Sequence, residues 1–190
     1  FAGSVAGAAL YEVDRAAGTA KISISTADGG MADDIAFAPD GTMAWTGFMT
    51  GDLYARKGDG PIKKLASGLP GINSLAFRKD GRLYATQVFL GDALFEIDVE
   101  GVKPPRKIME KMGGLNGFEF GPDDMLYGPL WFKGQVAKVD VAHVACGRDA
   151  REAEVVLRRP LRDGAGRHAH RQRDVRPDPG RAQRWATESR

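Results

Sequence analysis

One cysteine in 190 residues, Cys146, excludes an internal disulfide and leaves the redox compartment open. Long apolar runs are missing: the longest are strand-length, well short of the roughly 18 residues that a membrane-spanning helix needs. The opening stretch FAGSVAGAALYEVD has neither a basic region nor a continuous apolar core, so no signal peptide is read there, and the cytoplasm is the default placement. No phosphate loop, dinucleotide fingerprint or Ser-His-Asp arrangement is present. Helix-period patterning is missing before residue 141. The formal net charge of +2 says little about partners, but it conceals a split.

Lysine is absent from residues 141–190, which hold twelve Arg, whereas residues 1–140 hold ten Lys and five Arg. The same last fifty residues carry all three His (His143, His168, His170), Cys146 and a single aromatic, Trp185. Their Arg, Ala, Gly and Pro content is what a GC-rich gene yields when read out of frame, so a frameshift near residue 141 is the favoured account of residues 142–190. A genuine disordered basic tail is the alternative. His168, His170 and Cys146 are zinc-ligand types without zinc-site spacing. Without Lys or interleaved aromatics, the tail makes a poor nucleic-acid binder.

What is present before residue 141 is a repeat. GGLNGFEFGPDDMLYGPLWFKGQVAKVDV spells three short strands joined by tight turns, and the pattern occurs twice upstream, at DDIAFAPDGTMAWTGFMTGDLYAR and NSLAFRKDGRLYATQVFLGDALFEID. Ile35, Leu75 and Phe118 align, as do Phe37, Phe77 and Phe120, and Asp40, Asp80 and Asp123. The period of roughly 40 to 43 residues is that of propeller blades. Asp-Gly at 40–41 and 80–81 suits a tight hairpin, and Gly51-Asp52, Gly91-Asp92 and Gly134-Gln135 mark the next one. Fourth, outer strands are expected at Ile62 to Leu65 and Arg106 to Met109. Ala8 to Asp14 matches the end of a further blade, and Lys21 to Ser25 alternates as a half-exposed strand. The start at Phe1 rather than Met implies that earlier strands of that blade lie upstream. The expected architecture is all-β: a β-propeller of four-stranded antiparallel blades over residues 1–141, about three full and one partial. So few blades leave faces that invite self-association.

Two residues before the first aligned apolar position stand Asp33, Asn73 and Asn116. Equivalent positions in a radial array converge near the axis, and one carboxylate with two carboxamides suits a hard divalent cation: Ca²⁺ in the first place, with Mg²⁺ or Zn²⁺ as alternatives. Parity with Ile35, Leu75 and Phe118 places them inward. The competing account is that these residues cap turns, and Asp34 rivals Asp33. Asp40, Asp80 and Asp123 read as turn residues. Trp45, Phe48, Phe89, Trp131 and Phe132 read as blade packing, although Trp131 and Phe132, beside Lys133-Gly134, could line a pocket mouth.

NSLAFRKDGRLYAT and LNGFEFGPDDMLYGPLWF resemble the blade motif of the senescence-marker protein, gluconolactonase and luciferin-regenerating-enzyme family of six-bladed propellers. The resemblance runs from about residue 5 to 141, and Asn-Gly-Phe at Asn116 is its more specific part. It implies a divalent cation at the base of the central cavity, held by Asp, Asn and Glu from different blades. Asn116 stands at a metal-binding Asn of the motif, with Asn73 and Asp33 at the same phase. It implies hydrolysis of a small-molecule lactone or sugar-derived substrate, with the cation polarising the ring carbonyl or activating a water. No catalytic residue is assigned, and no counterpart of the family's first-blade Glu ligand is found. The alternative function is a non-catalytic ligand-binding or protein-interaction propeller.

Overall fold

The computed structural model describes residues 1–7, 9–29, 31–145 and the strand Glu154–Val156, all within the first of two units, Phe1–Arg158. The expectations for Cys146, His168 and His170, and those for the Arg-rich tail beyond residue 145 apart from that strand, lie outside the described residues.

Four antiparallel sheets follow one another along the chain. The first has β1 (Ala2–Ser4), β2 (Ala9–Asp14) and β3 (Thr19–Ser25). The second has β4 (Ile35–Phe37), β5 (Thr42–Gly47), β6 (Asp52–Lys57) and β7 (Lys63–Ala66). The third has β8 (Ile72–Phe77), β9 (Leu83–Gln87), β10 (Ala93–Ile97) and β11 (Arg106–Glu110). The fourth has β12 (Glu119–Phe120), β13 (Leu126–Leu130), β14 (Gln135–Val139) and β15 (Glu154–Val156). Each of the last three is an up-and-down sheet in chain order. The innermost strand β8 neighbours β4 on one side and β12 on the other, as successive blades around an axis require.

The turns show why one sequence unit repeats. Gly41, Gly81 and Asp124 donate N–H bonds to Ala38, Arg78 and Gly121, and all three have positive φ, at 84°, 84° and 61°. Glycine meets that backbone without a Cβ clash, and Asp is among the few side chains that tolerate it. Asp40, Asp80 and Asp123 accept the N–H two residues on, the Asx-turn role expected of them.

Each hydrophobic cluster is an interface between successive blades. Leu10 and Ile24 of the first sheet meet Met43 and Trp45 of the second. Ala44, Leu53 and Leu65 of the second meet Leu75, Leu83 and Phe95 of the third. Tyr84 and Leu94 of the third meet Phe118, Leu126 and Val139 of the fourth. Neighbours in sequence therefore serve opposite faces: Trp45 packs backward and Ala44 forward, Leu83 backward and Tyr84 forward.

Two strands went unread in the sequence. Ala2–Ser4 pairs with β2, and Glu154–Val156 pairs with β14 as the fourth blade's outer strand, so blade pairing reaches past residue 141. Between β14 and β15, the short helix α1 (Val141–Ala145) is capped by Asp140, which accepts the N–H groups of Ala142 and His143. No helix among the described residues is long and apolar enough to cross a membrane.

Candidate functional site

Asp33 and Asn116 occupy one structural position in two blades, where the chain leads into the inner strand, whereas Asn73, at the same repeat phase, lies inside β8 at its register shift. The Asp33 N–H donates to Thr46 O at 2.9 Å, and the Asn116 N–H donates to Pro129 O at 3.1 Å, bonds that are repeat equivalents. Strand parity does not govern them. Asp33 and Asn116 precede β4 and β12, and the β8 register shifts between Ile72 and Leu75. Asn73 and Asn116 are half-buried, while Asp33, expected inward, is exposed.

At the next position in the repeat, Asp34, Ser74 and Gly117, the first two fasten their blade to the following one. Asp34 Oδ2 accepts the Leu75 N–H at 3.1 Å, and its Oδ1 accepts the Ile35 N–H at 2.9 Å. Ser74 Oγ accepts the Gly117 N–H at 2.6 Å. Thr46 Oγ1 adds a third link, accepting from the Asp34 N–H and donating to Asn73 O. The two adjacent acids thus have different tasks: Asp34 is tied to backbone, and the Asp33 carboxylate has no hydrogen-bond partner among the described residues.

Ser74 also draws two of the anticipated ligands together. Its buried Oγ lies 3.0 Å from Asn73 Oδ1 and 2.9 Å from Asn116 Oδ1. A hydroxyl has one proton, so it donates to one carboxamide oxygen, while the other carboxamide turns its NH₂ toward Oγ. With the Gly117 N–H this uses the whole hydrogen-bonding capacity of Ser74.

Three carboxyls belong to the same neighbourhood, and all are shifted upward. Burial raises Asp34, against the opposing N–H bonds from Leu75 and Ile35. Asp33 is raised by burial and then by the like charge of Asp34, an effect tempered by its solvent access. Glu119 on β12 is raised by burial and then by Asp34, an effect tempered, as for Asp33, by its exposure to solvent. Repulsion between carboxylates disfavours their ionised forms, and a cation relieves it. The donor set is all oxygen, which suits a hard divalent ion. Among the described residues, however, no three His, Cys, Asp or Glu side chains converge as a ready cage, so any cation here depends on the carboxamides.

Ser74 and Glu119 were missed in the sequence. Ser74 is visible only when the repeats are compared one position further, at Asp34-Ser74-Gly117. Glu119 stands where the other repeats have Ala36 and Ala76, a polar exception in an apolar column.

The aromatics divide. Trp45 is fully buried, stacks on Tyr54 and donates Nε1–H to Gly29 O at 2.8 Å, as blade packing requires. Phe89, Trp131 and Phe132 depart from that expectation and are exposed. A separate cleft of about 490 Å³ lies at the turn end of the blades, between Pro39-Asp40 and Asp80-Gly81, away from the polar cluster.

This architecture is that of a β-propeller. The solved structures it is similar to include virginiamycin B lyase from Staphylococcus aureus with quinupristin (TM-score 0.60, 16% identity, 73% of this chain and 47% of that one). They also include the calcium-binding protein regucalcin from Agrobacterium tumefaciens (0.58, 18%, 70% and 51%) and a proposed gluconolactonase (0.56, 14%, 71% and 54%). The chain spans about half the length of these structures. No protein-family model matches it, and no curated protein matches it in sequence.

Proposed function

We propose that the chain is part of a divalent-cation-dependent lactonase, with Asp33, Asn73 and Asn116 supplying ligands and Glu119 a further carboxylate. The observation that carries this reading is the meeting of Asn73 and Asn116 at Ser74, at the same end of the inner strands as three upward-shifted carboxyls. The regucalcin and gluconolactonase neighbours support it at the level of fold. When bound, the cation supplies a Lewis acid for the ring carbonyl. Asp33 and Glu119 are the groups able to take a proton from the attacking water. Water adds to the carbonyl carbon as its proton passes to one of these carboxylates, the ring C–O bond breaks, the proton is returned to the departing ring oxygen, and a hydroxy acid leaves. Ser74 holds the carboxamides in place, and the Asp34 clasp fixes the distance between blades.

A non-catalytic ligand-binding propeller is the second reading, favoured by the engagement of both carboxamides with Ser74 and by the lack of a carboxylate cage among the described residues. Titrating acid release from a polar lactone, glucono-1,5-lactone, and from an apolar one, dihydrocoumarin, separates the two, since turnover of either counts as lactonase activity. The lactonase reading expects cation-dependent turnover that falls at least about tenfold, near 1.4 kcal/mol of barrier, in Asn116→Ala. Full activity in that variant contradicts it.

A further inference from the structure

The hairpins joining second to third strands carry a large apolar residue at one repeat position, Met49, Phe89 and Phe132. These side chains are 63%, 49% and 60% exposed, and Trp131 beside them is 62% exposed. Hairpin tips open to water ordinarily take Gly, Asn, Asp or Ser. None of these four belongs to the buried clusters between blades, so packing of the fold does not account for them.

The rings form an ordered ledge. Phe89 stands edge-on to Trp131 at 5.9 Å and to Phe132 at 5.8 Å, and Phe48 meets Phe89 at 6.3 Å. Edge-to-face contacts of this kind fix ring orientation. Phe89 has a φ of 69°, a backbone region that a bulky residue enters only when its surroundings impose it, and one concentrated at ligand clamps.

The ledge lies at the same end of the blades as the polar cluster. Trp131 and Phe132 donate N–H bonds to Gly114 O and Gly113 O, at 2.8 and 3.0 Å, just ahead of Asn116. Gly71, just ahead of Asn73, donates to Phe48 O and accepts from the Val88 N–H. Small-molecule sites commonly combine an apolar wall with a few convergent polar groups.

We propose that this ledge recognises the apolar part of the substrate, and that the substrate is an aryl- or alkyl-bearing cyclic ester rather than a polyhydroxylated sugar lactone. Sugar hydroxyls need hydrogen-bond partners when they leave water, and among the four ledge side chains only Trp131 has a donor. The assignment of the ester end rests on the lactonase reading; the ledge itself rests on its own geometry.

Calorimetric titration of the full chain with dihydrocoumarin and with glucono-1,5-lactone tests it, in EDTA so that turnover does not intervene. The aryl lactone is expected to bind at least about tenfold more tightly, and Phe132→Ser to lose about tenfold in that affinity with an unchanged melting temperature. Equal affinity for the two lactones, no aryl-lactone binding, or an undiminished affinity in Phe132→Ser overturns the proposal. So does a sedimentation-detected dimer that Phe132→Ser dissociates, which makes the ledge a contact between copies of the chain. Ledge-dependent binding without any hydrolysis when a divalent cation is restored sustains the ledge and counts against the lactonase reading alone.

Discussion

Ser74 Oγ stands 2.9 Å from Asn116 Oδ1, across a blade boundary, and accepts the Gly117 N–H at 2.6 Å. One buried hydroxyl therefore positions a candidate ligand and stitches two blades together. Ser74→Ala removes both functions and leaves the Gly117 N–H without its acceptor. The expected loss is about 1–3 kcal/mol of stability in chemical denaturation. Any cation or lactone affinity should fall along with it.

Asp34 performs the same stitch one blade earlier through the Leu75 N–H. Asp34→Asn keeps one acceptor oxygen for the Leu75 N–H, gives up the bond from the Ile35 N–H and removes a like charge facing Asp33 and Glu119, so its melting temperature should fall less than that of Asp34→Ala. Asp34→Ala leaves the Leu75 N–H unpaired and should cost about 1–3 kcal/mol. Equal stability in the two variants contradicts the clasp.

The upward shifts of Asp33, Asp34 and Glu119 set the sign of one pH dependence. A carboxyl raised in the folded state binds more protons there than in the unfolded chain, so its penalty is fully present above the folded pKa and fades as pH falls toward the ordinary value. Asp40 is the opposite case: its hydrogen bond from Lys57 pulls it down to about 2, and its contribution is lost only as pH falls through that value. In denaturation series, Asp33→Asn should be more stable than the wild type above the aspartate range, with the gap narrowing as pH falls through the raised pKa and toward the ordinary 3.8. A gap that widens on acidification contradicts the assignment.

Gly41 has a φ of 84°, and a Cβ built there meets nothing within 4 Å. Gly41→Ala therefore isolates backbone strain and should cost about 1–2 kcal/mol, with Gly41→Asn milder. Equal losses in the two variants contradict a left-handed turn.

The blades were legible in the sequence because their strands face a buried partner on both sides. Ile35, Leu75 and Phe118 recur with the Asp turns, and that period is what inter-blade packing imposes. β1 was illegible because Ala2-Gly3-Ser4 has no apolar alternation to read. At the site, the repeat phase put Asp33, Asn73 and Asn116 at one position, and the backbone bonds of Asp33 and Asn116 are repeat equivalents, while Asn73 falls at the register shift of β8. Which of two adjacent acids is tied down depends on a neighbouring blade's N–H, which no local pattern encodes. The same holds for Ser74, an ordinary serine until Asn116 is brought beside it. The exposure of Phe89 and Phe132 was hidden for a related reason: a hairpin tip and a blade face use the same residues, and only the fold tells them apart.

Calorimetric titration of the full chain with Ca²⁺, alongside Asp33→Asn and Asn116→Ala, bears most directly on the site. The account predicts saturable binding by the wild type, and affinity lowered by about tenfold or more in both variants. Binding of equal strength in all three, or no heat from the wild type, contradicts it.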